Sequence, residues 1–149
     1  MALEIQNLKI LVVAADYYED LTERLAAGAC EVLSQAGIAQ DRVMLKRVPG
    51  CWELPLAAQR LIRRHSPDAV VALGVLIQGE TDHYEHIAHQ ACAGLMRVSL
   101  EEGIPVGLGV LTCHNFEQAS ARCGGDQRKG NKGSEAAAAV LRMLSGETG

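Results

Sequence analysis

Ala69-Val70-Val71-Ala72-Leu73-Gly74-Val75-Leu76-Ile77-Gln78-Gly79-Glu80-Thr81-Asp82-His83-Tyr84 decides the fold. Its first nine residues carry no polar side chain, which reads as a strand buried on both faces, the usual state in a parallel sheet. From about Thr81 the pattern changes period: Tyr84, Ile87, Ala91, Leu95 and Val98 share one helical face until Gly103 stops it. Working outward, the same strand-then-helix alternation occurs four times in all. The other strands are expected at Lys9 to Ala14, Arg42 to Val48 and Val106 to Thr112.

In the first helix Leu21, Leu25, Ala29, Val32 and Leu33 form the apolar stripe, Asp16 and Glu19 stand at capping-box spacing, and Gly37 ends it. The second starts near Glu53, tolerates Pro55 in its first turn, and runs to His65 before Ser66-Pro67. A short fourth helix, Phe116 to Arg122, is separated by a Gly-rich basic loop from a last one, Ser134 to Leu144. This alternation predicts an α/β three-layer sandwich, flavodoxin-like, with a central four-stranded parallel sheet and helices on both faces. Residues 1–149 are expected to form a single domain, with 1–8 as an extended N-terminal arm.

The 149 residues are 48% hydrophobic, ample for one core, but only 3% aromatic. A net charge of −4 with no basic block argues against nucleic acid or an anionic membrane surface as partner. No apolar run approaches membrane-spanning length, and Met1 to Gln6 has no basic region before an apolar stretch, so a cytoplasmic location is expected. Cys30, Cys51, Cys92, Cys113 and Cys123 never show C-x-x-C spacing and read as reduced thiols.

Parallel strands place all their carboxyl ends on one sheet edge, where ligands of open α/β sheets bind. The loops entering strands are plain turns, whereas the exits are chemically loaded: Asp16-Tyr17-Tyr18, Pro49-Gly50-Cys51-Trp52-Glu53, Gln78 to His83, and Thr112-Cys113-His114-Asn115. Tyr17 and Trp52 on one edge suit a flat ligand. The backbone N–H groups of Gly79, Glu80 and Thr81, at the entry to a helix, can converge on an anion; an ordinary cap by Thr81 would use the same residues.

His83 falls in the first turn of that helix, where the dipole disfavours the protonated ring, so a neutral imidazole can take or give a proton. His86 and His89 follow, but i+6 turns away from i and no thiol or carboxylate completes a metal set; they read as solvated or at a subunit contact. Arg122 to Gly133 concentrates four cations and four glycines, a flexible cationic loop suited to an anionic small molecule.

The ordered set Val48 to Pro55, Leu73 to Tyr84 and Gly130-Asn131-Lys132-Gly133 closely resembles the lumazine synthase family, over about Leu8 to Leu144. The resemblance implies a transferase of riboflavin biosynthesis. It would condense 5-amino-6-(D-ribitylamino)uracil with 3,4-dihydroxy-2-butanone 4-phosphate to 6,7-dimethyl-8-ribityllumazine, releasing phosphate and water, without metal or organic cofactor. It gives Tyr17 the stacking role, Cys51, Trp52 and Glu53 the ribityl chain, and Val75, Leu76 and Ile77 the pyrimidine. Glu80 and Thr81 match the phosphate turn, His83 the proton donor, Arg122 the arginine that pairs the phosphate, and Lys132 the lysine of the last motif. It further implies sites between neighbouring subunits of a homopentamer, with Leu108, Arg122 and Lys132 from one chain and the rest from the next.

Three positions depart from the family pattern. Leu108 stands where many members have Phe, Gln78 where Arg is common, and His114 where an acidic residue is common. A loop before Gly130 about two residues longer than in capsid-forming members favours an isolated pentamer over a sixty-subunit shell. A phosphoreceiver or FMN module fits the length, but strand 1 ends in Ala14-Ala15 and strand 3 in Ile77-Gln78, without the acidic cluster or phosphate loops those need. The archaeal-type riboflavin synthase shares the fold, but Pro49-Gly50 and Gly130 to Gly133 favour lumazine synthase. His83 and Arg122 speak against a shell protein without catalysis.

Overall fold

The structure is a computed structural model and describes residues 4–146. Strands β1 (Ile10–Ala15), β2 (Val43–Val48), β3 (Ala69–Ile77) and β4 (Val106–Cys113) form one sheet in the order β2-β1-β3-β4. All pairings are parallel, with Ile10 beside both Val43 and Ala69, and Val70 beside Val106. The helices are α1 (Glu19–Gln35), α2 (Leu54–His65), α3 (His83–Glu102), α4 (Phe116–Arg122) and α5 (Lys132–Leu144).

Strand alternation divides the interior in two. Ile10, Val12, Ala14, Val71 and Leu73 pack with Leu21, Leu25, Ala29 and Leu33 of α1 and with Ala136, Ala137 and Val140 of α5. Leu11, Val13, Ala15, Val70 and Ala72 face Leu54, Ala58 and Ile62 of α2 and Ala91, Leu95 and Val98 of α3 on the other side. This is the expected three-layer arrangement. Among the described residues, no helix is long and apolar enough to cross a membrane.

β3 and α4 have the expected bounds, and the other elements differ by one or two residues. The capping box does not form. Asp16 lies in a 3-10 turn, Asp16–Tyr18, and no side chain caps α1. Its carboxylate instead meets the guanidinium of Arg47 at 2.9 Å, a charge-assisted bond stronger than one to a backbone amide. Thr22 takes over the joint, its Oγ1 donating to the Ala15 carbonyl at 2.8 Å.

Helix α3 begins at His83 with Asp82 at its cap, so Thr81 is outside it; the Thr81 hydroxyl accepts the His83 amide at 3.4 Å. The expected extended arm falls partly outside the described residues, at positions 1–3. Ile5–Asn7 is a 3-10 turn rather than extended chain, closed by the Asn7 amide on the Glu4 carbonyl at 3.0 Å.

Candidate active site

Three strand exits and the start of α3 build one cavity of about 310 Å³. At the β1 exit, Arg47 binds Asp16 at 2.9 Å and Glu23 at 3.1 Å, and so fixes the turn carrying Tyr17 and Tyr18. The two rings meet edge to face, centroids 5.0 Å apart at 71°. Tyr17 is nonetheless 77% exposed and Trp52 59%, large aromatic surfaces left open.

At the β2 exit, a 3-10 turn Cys51–Glu53 leads into α2, whose Pro55 lies against Gly94 of α3; a Cβ there would come within 2.7 Å of the ring. Cys51 is buried under β3, where a Cβ on Gly74 would come within 2.5 Å of its Sγ. Burial pushes this thiol up to about 12, with Cys92 and Glu53 adding to the rise and the Val75 amide opposing it. Cys51 is a wall of the cavity and not a nucleophile.

At the β3 exit, the chain leaves Ile77 and turns through Gln78 to Asp82 before α3. Among the described residues, the amides of Gly79, Glu80 and Thr81 donate to no protein acceptor. Three consecutive exposed donors beside a helix amino end can receive an anion.

The structure thus brings together Tyr17, Cys51, Trp52, Val75, Leu76, Ile77, Thr81 and His83. Tyr18, Gly50, Gly79, Tyr84 and Ile87 complete the lining. Of these Tyr18 shares the Asp16-Tyr17-Tyr18 exit legible in the sequence, whereas the periodicity of Tyr84 and Ile87 marks only a helix's apolar face. Glu53 and Glu80 do not line the cavity. Both are exposed, Glu53 with a carboxylate oxygen beside Gly50, where a Cβ would meet it at 3.4 Å.

Arg122 and Lys132 are in a second cavity, of about 360 Å³, with Thr112, Cys113, Lys129 and Glu135. The two cavities share no lining residue. They are built from different ends of the carboxyl edge: the first from the exits of β1, β2 and β3 with the start of α3, the second from the end of β4 with α4, the basic loop and the start of α5. Leu108 lines neither cavity and is 43% exposed on β4. Within one chain, the three residues assigned to a neighbouring subunit are therefore set apart from the others.

The basic loop is more ordered than its glycines suggest. The Gly124 amide bonds to the Gly130 carbonyl at 3.1 Å, and both glycines have positive φ, 88° and 72°. Asp126 accepts the Arg128 amide at 2.9 Å and pairs with its guanidinium, which holds this carboxyl below its ordinary range. That spends one cation on the loop and leaves Arg122, Lys129 and Lys132 at the cavity, with Lys132 3.8 Å from Glu135. His86 and His89 are exposed on α3, and the described residues contain no group of three or more potential metal ligands.

A family model for 6,7-dimethyl-8-ribityllumazine synthase matches residues 7–147. Relatives bearing that name occur in Levilactobacillus brevis, 46% identical over 94% of this chain and 88% of its own length, and in Stenotrophomonas maltophilia (strain K279a), 44% over 94% and 89%. A third, from Nitratidesulfovibrio vulgaris (strain DP4), is 40% identical over 95% and 90%.

Proposed function

The chain belongs to the 6,7-dimethyl-8-ribityllumazine synthase family, and from that premise we propose which groups carry the reaction. The reaction is the riboflavin-forming pathway's condensation of 5-amino-6-(D-ribitylamino)uracil with 3,4-dihydroxy-2-butanone 4-phosphate, with loss of phosphate and water. Its steps are imine formation at the ketone, elimination of phosphate and ring closure. Each moves protons between positioned reactants, so proximity with acid–base help suffices.

In this reading Tyr17 stacks on the pyrimidine and the strand end Val75-Leu76-Ile77 borders it. Cys51, Trp52 and Glu53 hold the ribityl chain, largely through backbone and ring surface. The free amides of Gly79 to Thr81, with Glu80 between, take the phosphate, and His83 on the same wall transfers protons. The observation that carries the reading is the single cavity joining exposed aromatics, open amides and an imidazole.

Arg122 and Lys132, set apart in a second cavity, support a site completed by a neighbouring subunit, whose Arg122, Lys132 and Leu108 would close over these residues. A homopentamer, isolated and not part of a shell, is the proposed assembly, and the cytoplasm its location. Residues 1–149 are proposed to form a single domain. The test is to mix metal-free protein with both substrates and follow lumazine absorbance and phosphate release together. Equal acceleration of both above the spontaneous background supports the reading, and no acceleration by the assembled protein overturns it.

A further inference from the structure

Gln78 and His114, each a departure from the family pattern, are hydrogen-bonded to one another. The His114 Nδ1 lies 2.7 Å from Gln78 Oε1. We propose that His114, acting through Gln78, is a positioning residue for the turn from Gly79 to Asp82 and thereby for recognition of the phosphate-bearing substrate; this rests on the reading that the turn receives the phosphate.

The two partners differ in how firmly they are held. His114 is anchored on its own side: its amide donates to Gln118 Oε1 at 2.9 Å, and the Gln118 amide donates to Asn115 Oδ1 at 2.9 Å at the start of α4. The turn has no such support. Among the described residues, no side chain from Gly79 to Asp82 bonds to another element; the bonds there are local, from the His83 amide to the Thr81 hydroxyl and from the Glu85 and His86 amides to the Asp82 carbonyl. Its ties to the rest of the fold are α3 at one end and Gln78 at the other, where the Gln78 amide extends the ladder to the Cys113 carbonyl at 2.9 Å. The side-chain bond to His114 fixes the orientation of that last rung.

Convergent amides bind an anion well only when their directions are set beforehand; a turn that must be ordered on binding loses affinity. Neither Gln78 nor His114 lines either candidate cavity; His114 instead borders a groove between α3 and β4. The pair therefore acts on the turn and not on substrate directly. Both side chains are exposed, so replacing them leaves the core unchanged.

The test compares His114→Ala, Gln78→Leu, the double variant and His114→Asn, whose amide restores a polar group close to the Nδ1 position. For His114→Ala the KM for the butanone phosphate is expected to rise roughly three- to tenfold, the scale of one lost hydrogen bond, with kcat and the KM for the pyrimidine within about twofold. Gln78→Leu should match it, the double variant should be no worse than either single one, and His114→Asn should recover most of the loss. Inorganic phosphate binding, followed by calorimetry, should weaken by the same factor. An unchanged phosphate KM in His114→Ala, or additive losses in the double variant, overturns the proposal. Should the unmutated protein form no lumazine, the reading of the cavity fails instead, and phosphate binding by these four variants still decides whether the pair orders an anion site.

Discussion

His83 stands exposed at the first position of α3, on the wall that also carries Thr81 and Tyr84, with its ring open to whatever fills the cavity. In the proposed reaction, replacing it by Ala removes the proton carrier but leaves the substrates held side by side. The expected loss in kcat is therefore about tenfold to a hundredfold, at or below the low end for general acid–base help, because proximity persists. Steady-state rates against an unaltered oligomer size check this, and an unchanged rate removes the assignment. Cys51 makes the opposite prediction. Burial disfavours the thiolate, so its pKa is raised to about 12, and the thiol stays protonated through neutral pH. Iodoacetamide at pH 7.5 to 9 is expected to leave Cys51 unlabelled in the folded protein and to label it after unfolding in urea, read by peptide mass. Fast labelling of the folded protein would show that the thiol is open to the cavity.

At the scale of elements, a glycine lets α5 pack closely against α1. Gly133 packs on the Leu25 carbonyl, and a Cβ there would overlap backbone, which cannot swing aside as a side chain can. Asn131 secures the same contact: its Oδ1 accepts the Ser134 amide at 3.0 Å and its Nδ2 donates to the Arg24 carbonyl at 3.0 Å. Two of the four residues of Gly130-Asn131-Lys132-Gly133 thus serve to set where Lys132 begins its helix. Gly133→Ala is expected to lower stability by about 1–3 kcal/mol through overpacking, measured by urea unfolding, and to weaken Lys132's contribution with it. No shift in the unfolding midpoint would mean the helices separate freely at this point.

The motif was legible in the sequence as chemistry, while its packing was not, because a glycine's missing Cβ has meaning only once a facing carbonyl is placed. The same limit explains Asp16. Its spacing to Glu19 satisfies a capping box, but the Arg47 that draws it away lies 31 residues on, at the end of a neighbouring strand. The strands and the exit-edge site were readable because unbroken apolar runs and helix periodicity are local signals. Tyr18 and Lys129 reach their cavities through local turns that no periodicity records.

For the whole molecule, the decisive feature is that His83 and Arg122 are in separate cavities with no lining residue in common. In the proposed reading a site that needs both is assembled from two copies, and this can be tested without seeing the assembly. Take His83→Ala and Arg122→Ala, each expected to be impaired alone, the second chiefly through a raised KM for the butanone phosphate. Unfold both, mix them in equal amounts and refold. In a ring with one shared site per interface, an interface is intact when the subunit giving the first cavity carries Arg122→Ala and the subunit giving the second carries His83→Ala. Random mixing makes that about one interface in four, so activity should return to about a quarter of the unmutated level. The two variants refolded separately and combined only at the assay should show no gain, since each assembly then holds one variant alone. A site contained within one chain would give the plain average of the two impaired proteins in both mixtures, because no arrangement of neighbours could supply the missing group.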